Sequence, residues 1–375
     1  MRDWLGVAAD VAEELRGDAA ERDRRGEDPV AEVAALKDSG LLTVADWDVQ
    51  RAVVRVVGAA DANVGHLLGY HYLQVWRGGL FLDRDAAAAR SAELHGLNLF
   101  WAGISNPLDA ALELTPVDGG YLLNGRKTFA TGAAVADRLV VSATRADTGE
   151  KLTFTLDAKA DGVARAGEWD NMGQRLTASG GVQLTDVHVP DDQVLGPADG
   201  TSPRLSLAAI GFQEALSQLH VAIAEGALAE AARYTRETTR PWFLSGVDSA
   251  AEDPYTLQTY GELVADVQAA GLLADRASAL LRDASEAGTA LTAEQRAETA
   301  AAISSAKVVS TRVVNHTTAK VFELCGARAT ASKYAFDRFW RNARTITLHD
   351  PVAYKAREVG AHFLTGQHAP FTGYS

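Results

Sequence analysis

The chain has 375 residues, with 36 lysine and arginine side chains against 49 aspartate and glutamate side chains, and its net charge is −13 at pH 7. This acidic balance predicts that neither nucleic acid nor a membrane surface is a partner, and no apolar run approaches the ~18 residues of a membrane span. The single cysteine, Cys325, excludes an internal disulfide, and the charged N-terminal residues lack the apolar core of a signal peptide. The composition predicts a cytoplasmic globular protein.

Residues 1–96 have helical patterning. Asp28 is followed by a proline suited to the first helical position, and Gly40 is a suitable C-terminal stop for that helix. Apolar residues at helical spacing predict two further helices, at about Trp47–Ala60 and about Asn63–Phe81. We therefore expect an N-terminal helical domain.

Residues 97–200 change to short strand-like runs separated by turns. Leu112–Val117 and Tyr121–Lys127 flank an Asp-Gly-Gly turn, which predicts a β-hairpin. This part of the chain is typical of a compact antiparallel β-domain. Further strands are predicted at Arg138–Ala143, Leu152–Leu156 and Val182–Val189.

Residues 201–375 return to helical patterns of about thirty residues each, rich in alanine, leucine and glutamate, which favours an antiparallel helix bundle. No alternating βα rhythm occurs, so a doubly wound sheet or a (β/α) barrel is not predicted. The fold class is α+β, mostly α. The predicted bundle helices are Leu205–Thr238, Pro254–Ala287, Thr292–Cys325 and the shorter Tyr334–Arg344.

A titratable pair, His349 and Asp350, interrupts the last helical segment. Pro351 disfavours the helical conformation of the residue before it, so backbone groups are left free at this break. Histidine is the side chain whose charge changes near neutral pH, and an arginine-rich helix precedes the pair. A ligand site and an ordinary surface loop are both compatible with this segment alone.

Three segments of the β-domain, Trp101–Pro107, Phe129–Gly132 and Trp169–Gly180, combine aromatic side chains, hydroxyls and free backbone amides. We place Phe129 and Thr131 on the same face of a strand. Such groups suit a flat, hydrogen-bonding heteroaromatic ring, and the isoalloxazine of a flavin is such a ring. Core aromatics and turns are the alternative interpretation of each segment. The nine histidines and one cysteine form no metal-binding motif, so no metal site is predicted.

The layout and four short segments resemble the acyl-CoA dehydrogenase superfamily. These segments are Ile104–Pro107, Lys127–Gly132, Met172–Arg175 and Arg341–Arg344. Further segments resemble specifically the branch of flavin-dependent monooxygenases typified by dibenzothiophene monooxygenase. They include Trp169–Gly180, Gly326–Thr330 and, as the most specific part, Thr347–Lys355.

This resemblance implies an N-terminal helical domain (1–96), a central antiparallel β-barrel (97–200) and a C-terminal four-helix bundle (201–375), assembled as a homotetramer. A flavin would lie between barrel and bundle, with help from a neighbouring subunit. The barrel would line the ring and arginines would hold the phosphate. The implied cofactor-binding residues are Gly103, Ser105, Asn106, Lys127, Phe129, Thr131, Trp169, Arg240, Ala327, Arg328 and His349.

The implied activity is that of a two-component monooxygenase. A separate reductase supplies reduced flavin, and reaction with O₂ through a C(4a)-hydroperoxide oxygenates an organosulfur or other electron-rich molecule, such as an aromatic, an indole or an amine. The implied catalytic residues are His349 and Thr131, which would hold the reacting oxygen, and His71, which would orient the substrate. His71 alone, between two tyrosines, is more typical of a core histidine.

Two departures from the dehydrogenases separate the alternatives. Asp350 stands where they have a glutamate base, and it is one methylene shorter, so a dehydrogenase using Asp350 is the competing hypothesis. Glu323 and Ala327 replace a glutamine and a glycine that contact the FAD diphosphate there. A carboxylate repels a diphosphate, so FMN is predicted and FAD is the alternative flavin. A catalytically silent flavin-fold subunit is the third hypothesis. The loop between Leu42 and Trp47 is shorter than in relatives, which affects access to the pocket.

Overall fold

A computed structural model describes residues 2–82, 86, 89, 94, 96–166, 168–198 and 200–375. Aspartate side chains cap several of the N-terminal helices by accepting backbone N–H bonds; Asp46 and Asp61, for example, accept from the first turns of α3 and α4. These helices are α1 (Trp4–Arg25), α2 (Val30–Asp38), α3 (Trp47–Ala60) and α4 (Ala62–Gly79). The predicted helices α3 and α4 agree with the structure, α4 ending two residues before the predicted Phe81. Helix α2 begins one residue later than predicted, with Pro29 at its N-cap and no side-chain cap bond.

The crossing of α3 and α4 is unusually close. An added Cβ on Gly65 would lie 2.4 Å from the Cα of Gly58, so glycine at these two positions lets the helix backbones approach. The next residue along α4 is His66, which belongs to the candidate site described below. The close crossing therefore fixes the position of His66 relative to α3.

The strands in the middle of the chain are β1 (Trp101–Ile104), β2 (Glu113–Val117), β3 (Gly120–Lys127), β4 (Arg138–Arg145), β5 (Lys151–Asp157), β6 (Val163–Ala166), β7 (Gly181–Pro190) and β8 (Val194–Pro197). They form one sheet in the order β6-β7-β3-β2-β4-β5-β8, with β1 added beside β4. The predicted hairpin is present as β2 and β3, although the sheet is not purely antiparallel, since β1 and β2 both pair parallel to β4. They meet successive parts of the same β4 edge, because the chain runs from β1 into β2 without reversing.

The C-terminal part is a helix bundle. The helices Pro203–Glu237 and Ala293–Cys325 run parallel to each other. Two hydrogen bonds between them show this: Ser206 bonds to Arg296 and His220 bonds to Ser310, both at an offset of 90 residues. The helix Pro254–Glu286 runs antiparallel to Pro203–Glu237. Gln218 bonds to the Ala274 carbonyl, whereas Thr235, further along the first helix, bonds to Tyr260, nearer the start of the second. The helices are α5 (Pro203–Glu237), α6 (Pro254–Glu286), α7 (Ala293–Cys325), α8 (Asp337–Ile346) and α9 (Val352–Thr365).

One apolar core joins the N-terminal helices to the sheet; Leu67 of α4 and Phe154 of β5 are members of it. A second core lies among α4, α5, α6 and α7. Helix α4 therefore packs on both the sheet and the bundle, and its polar residues lie where the two parts meet. Among the helices of the described residues, none is long and apolar enough to cross a membrane. The division into three domains at residues 96 and 200 stays a prediction.

Candidate active site

Helix α4 carries a histidine and a tyrosine one turn apart on its inner face. His66 Nδ1 lies 2.9 Å from Gln174 Oε1, which can only accept, so the imidazole donates from Nδ1. Its ring meets Tyr70 edge to face, with centroids 4.3 Å apart. Burial lowers the pKa of His66 to about 4; the hydrogen bond to Gln174 opposes this effect, and the Lys307 charge acts in the same direction as burial. His66 is therefore neutral, and its Nε2 is a buried acceptor with no hydrogen-bond partner among the described residues.

Gln174 links the sheet to both groups of helices. Its φ of +56° lies in the left-handed region, and its backbone N–H donates to Asn342 Oδ1 at 2.6 Å. Its carbonyl accepts from Trp169 Nε1 at 2.7 Å and from Thr177 Oγ1 at 2.8 Å. With the His66 contact, this residue fixes the position of the whole segment 169–180 between α4 and α8.

A chain of buried hydroxyls continues from this segment. Ser179 Oγ lies 2.7 Å from Thr177 Oγ1 and 2.9 Å from Thr131 Oγ1. Phe129 and Trp169 meet edge to face with centroids 6.0 Å apart, and Phe129 is 64% exposed. The structure thus brings Thr131, Phe129 and Trp169 together as predicted.

The predicted reason for that grouping was wrong in one respect. Strand β3 ends at Lys127, and Phe129 has a φ of +53°, so Phe129 and Thr131 do not share a strand face. The chain instead turns after β3, and the carbonyl of Thr177 and that of Gly180 accept the N–H bonds of Gly132 and Ala130. This turn directs the Phe129 ring outward and leaves Thr131 buried.

Lys127 was predicted to bind the cofactor, but the structure gives its ammonium a different task. Nζ donates to the Asn106 carbonyl at 2.9 Å and to the Asp109 carbonyl at 3.3 Å. These bonds hold the loop after β1, in which Asn106 Nδ2 also donates to Thr128 Oγ1 at 3.3 Å. These bonds show that Lys127 shapes the loop that carries Asn106; its contact with a cofactor stays a prediction.

Gly103 and Ser105, at the end of β1, are both set by side chains of α4. A Cβ added to Gly103 would lie 2.4 Å from Gln74 Nε2, so a larger residue there would require the Gln74 side chain to move. Ser105 Oγ accepts a hydrogen bond from Arg77 Nη1 at 2.7 Å. Burial lowers the pKa of Arg77 to about 10, and this cation still lies directly behind Ser105.

His71 was predicted to orient the substrate, and the structure contradicts this. The side chain is buried, its Nε2 lies 3.0 Å from the Leu42 carbonyl, and its Nδ1 accepts the Trp101 N–H at 3.2 Å. Both ring nitrogens are thus used to hold β1 and the short Leu42–Trp47 connection against α4. A sequence signal for His66 was its spacing of four from Tyr70, which places both residues on one helix face.

The interruption between α8 and α9 holds a buried ionic group. His349 Nδ1 donates to Asp350 Oδ1 at 3.2 Å, and Lys307 Nζ of α7 lies 3.5 Å from the same oxygen. Burial by itself would raise the pKa of Asp350, but the hydrogen bond from His349 and the Lys307 charge outweigh it and hold the pKa at about 2. Tyr374 of the C-terminal tail packs edge to face on His349, with centroids 5.8 Å apart. His349 itself stays partly exposed.

The two predicted phosphate-binding arginines lie elsewhere in the chain. Arg240 and Arg328 are both exposed, and the ends of α5 and α7 that carry them are joined by a bond from Thr239 Oγ1 to the Cys325 carbonyl. Ala327 is exposed in the same turn. Lys307 and Cys325 lie 18 residues apart on α7, a length of about 27 Å at about 1.5 Å per residue. One chain therefore does not place these arginines beside His349.

The buried histidine predicts a loss of stability in acid. The unfolded chain binds a proton to His66 near the ordinary histidine pKa of 6.5, whereas the folded protein does so only near pH 4. The stability contributed by neutral His66 is complete above pH 6.5 and is lost as the pH falls towards 4, by about 3 kcal/mol in total. We expect His66→Gln to flatten the decline in the free energy of unfolding between pH 7 and pH 4.5, measured with urea on flavin-free protein. The exposed His316→Gln serves as the control, and an equal flattening there would contradict the assignment.

Known proteins share this arrangement along the whole chain. A family model described as "Acyl-CoA dehydrogenase, middle domain" matches residues 106–187, and one described as "Acyl-CoA dehydrogenase, C-terminal domain" matches residues 215–354. A dibenzothiophene monooxygenase of Rhodococcus erythropolis is 37% identical over an alignment covering 100% of this chain and 95% of that relative.

Two further relatives carry flavin in their names or structures. A probable FMNH2-dependent monooxygenase, SfnC, of Pseudomonas putida is 36% identical and is aligned over 100% of this chain and 98% of its own length. The crystal structure of TdsC from Paenibacillus sp. A11-2 with FMN and indole superposes with a TM-score of 0.93 at 36% identity, covering 100% of both chains. The predicted architecture of helical domain, barrel-like sheet and helix bundle is confirmed by these matches.

Proposed function

The chain belongs to the acyl-CoA dehydrogenase superfamily and, within it, to the branch of flavin-dependent monooxygenases, and from this premise we propose that it oxygenates an organosulfur or other electron-rich small molecule with reduced FMN and O₂. One relative is named as a monooxygenase of dibenzothiophene, and the crystal structure of another contains indole. These molecules share an electron-rich heteroaromatic ring. A compound of that chemical class is the proposed substrate.

The surroundings of Asp350 favour a monooxygenase over a dehydrogenase. A general base must be free to accept the proton that it removes. The Asp350 carboxylate is 7% exposed, is bonded to His349 and lies beside Lys307, and its pKa is held at about 2. A carboxylate that accepts a hydrogen bond from His349 and lies beside the Lys307 charge is a poor base, so the dehydrogenase hypothesis is not supported.

The described residues fit a flavin. The largely exposed Phe129 ring beside Trp169 offers an apolar surface that a flat ring would cover. Glu323 is exposed at the end of α7, in an ion pair with Lys320, and a carboxylate there disfavours a diphosphate. FMN, which lacks the diphosphate, is the flavin that these side chains suit. Bound reduced FMN would supply two electrons and the chemistry that activates O₂.

The protein's own groups would bind, orient and exclude water. His349 donates from Nδ1 to Asp350, which leaves Nε2 to face a ligand. His66 presents its unpartnered Nε2 as an acceptor, and Thr131 belongs to the buried hydroxyl chain. We assign His349, His66 and Thr131 to the reacting side of the site. His71 is not carried forward in this role.

We propose a homotetramer in which neighbouring subunits complete each flavin site. Arg240 and Arg328 lie about 27 Å along the helices from the Lys307–His349 group of the same chain, a distance longer than FMN. A phosphate held by these arginines therefore belongs with a ring bound near His349 of another copy. Exposed apolar side chains on α6 and α9 support contacts between copies. They are Leu257, Val264, Leu272, Tyr354, Phe363 and Leu364.

The preference for FMN is directly testable. We expect the purified protein to contain little flavin and, under anaerobic conditions, to bind reduced FMN at least about tenfold more tightly than reduced FAD, because Glu323 would repel the second phosphate. Glu323→Gln is expected to reduce the difference in affinity between reduced FMN and reduced FAD, because it weakens that repulsion. Tighter binding of FAD by the parent protein would refute this prediction.

A substrate panel tests the activity itself. We propose that the enzyme works in the cytoplasm with a separate flavin reductase. The assay therefore couples a reductase, FMN and ¹⁸O₂ to dibenzothiophene, indole and a small alkyl sulfinate. Incorporation of one labelled oxygen into any of these supports a monooxygenase. Thioester oxidation without oxygen incorporation would contradict it.

A further inference from the structure

The complete burial of Lys307 is not explained by a contribution to the stability of the fold. Its side chain is 0% exposed in the middle of α7, and its Nζ has no hydrogen-bond partner within the described residues apart from the long 3.5 Å approach to Asp350 Oδ1. A buried charge with one loosely held partner costs free energy. Burial lowers the pKa of Lys307 to about 8, with Asp350 acting in the opposite direction. A group kept at such a cost is a candidate for function.

The groups that face this lysine come from every element packed around it. Asp350 Oδ1 lies between Lys307 Nζ and His349 Nδ1, so one carboxylate oxygen serves two cationic or potentially cationic groups. Lys355 of α9 also acts on Asp350, but it is paired with Glu358 at 3.0 Å. The remaining titratable neighbours are His66 on α4, His220 on α5, Tyr70 on α4 and Tyr374 in the tail.

The two buried histidines in this set show the sign of the local field. Burial lowers the pKa of His220 well below its usual value, and the Lys307 charge acts in the same direction. The same is true of His66. Lys307 therefore opposes protonation of the imidazoles around it, while Asp350 favours it. His349 is the histidine that bonds directly to Asp350, through the same carboxylate oxygen that lies beside Lys307 Nζ.

We propose that Lys307 is a positioning residue, which neutralises Asp350 so that the carboxylate orients His349 without drawing a proton onto it. A buried carboxylate alone beside an imidazole favours the protonated, ionic form of the pair. With Lys307 supplying the positive charge, the Asp350–His349 hydrogen bond can form with a neutral ring, and Nε2 remains an acceptor. This proposal rests on the proposed role of His349 in oxygenation.

The test separates charge from packing. Lys307→Met and Lys307→Gln remove the charge, Lys307→Arg keeps it, and Arg296→Met removes another fully buried cation of α7 that lies outside the group. In flavin-free protein, the titration of each histidine is followed by deuterium exchange at its ring C2–H with mass spectrometry. We expect the His349 midpoint to rise by about one pH unit or more in the two neutral variants, a roughly tenfold change in proton affinity.

The same variants are then assayed across pH for coupled oxygenation, whose acidic limb should move to higher pH with the His349 titration. Lys307→Arg and Arg296→Met should leave both midpoints in place. An unmoved His349 titration in both neutral variants, or an equal movement in Arg296→Met, would overturn the proposal. If His349→Ala still uncouples the enzyme in that case, the proposed function stands and only the role of Lys307 fails. A moved titration with an unchanged acidic limb would overturn the role of Lys307 in the reaction.

Discussion

Replacing His349 with alanine is expected to uncouple flavin consumption from oxygenation and to lower the rate of product formation by about a hundredfold or more. His349 is partly exposed, while its ring is held by Asp350 and packed against Tyr374. These contacts fix the direction of Nε2 before a ligand arrives. Removing one preorganised hydrogen bond of this kind costs about 2.7–4 kcal/mol of transition-state stabilisation. Reduced FMN should still be oxidised by O₂, but the O₂ should be released as hydrogen peroxide and not incorporated into the product.

The measurement is the yield of product and of hydrogen peroxide per reduced FMN consumed. His316→Ala, an exposed histidine of α7, is the matched control and should retain parental coupling. Asp350→Asn distinguishes the competing chemistry, because a dehydrogenase would lose all activity with its base, whereas a monooxygenase would lose the orientation of His349. Normal coupling in His349→Ala would show that another residue holds the reacting oxygen.

Local sequence signals predicted the elements well, because periodicity and capping act within a few residues. The helix Trp47–Ala60 and the end of β3 at Lys127 lie where predicted, and the break at His349 was predicted from a proline. Each of these depends only on neighbouring residues. The fold class followed from the order of the elements and from the family resemblance.

The contacts that build the site were less accessible, since they join distant parts of the chain. His66 meets Gln174 across 108 residues, and Lys307 meets Asp350 across 43. Periodicity assigns a residue to a helix face but not to a partner on another element. Periodicity therefore places both His66 and His71 on α4 without showing which of them lies beside Gln174, and it gives no partner for Lys307. The left-handed turn at Phe129 was also invisible, because aromatic residues rarely adopt it.

Shared sites are a further limit on what one chain can predict. The family resemblance placed Arg240, Arg328 and His349 around one flavin, and the structure separates the arginines from His349 by much of the length of α7. This separation supports the proposal, already implied by the resemblance, that more than one copy contributes to each site. The structure adds the distance along the helix, which the sequence supplies only after the helix bounds are known.

Gly173→Ala is expected to destabilise the fold and to displace the segment 169–180. A Cβ at position 173 would lie 2.1 Å from the carbonyl oxygen of Arg341 and 2.6 Å from the backbone nitrogen of Asn342. These atoms belong to the backbone of α8 and cannot rotate away. The segment 169–180 must therefore move, which breaks the bond of Gln174 to Asn342 and its contact with His66.

Overpacking of this kind typically costs about 1–3 kcal/mol, and the lost hydrogen bonds add to it. We expect a fall in the free energy of unfolding of at least that size, together with weaker binding of reduced FMN, because Trp169 moves with the segment. Gly261→Ala on α6 is the matched control: nothing lies within 4 Å of its Cβ, and alanine there should stabilise the helix by up to about 1 kcal/mol. Urea unfolding and anaerobic FMN titration measure both variants. If Gly173→Ala keeps parental stability and FMN affinity, the close contact with α8 does not position the flavin side of the site.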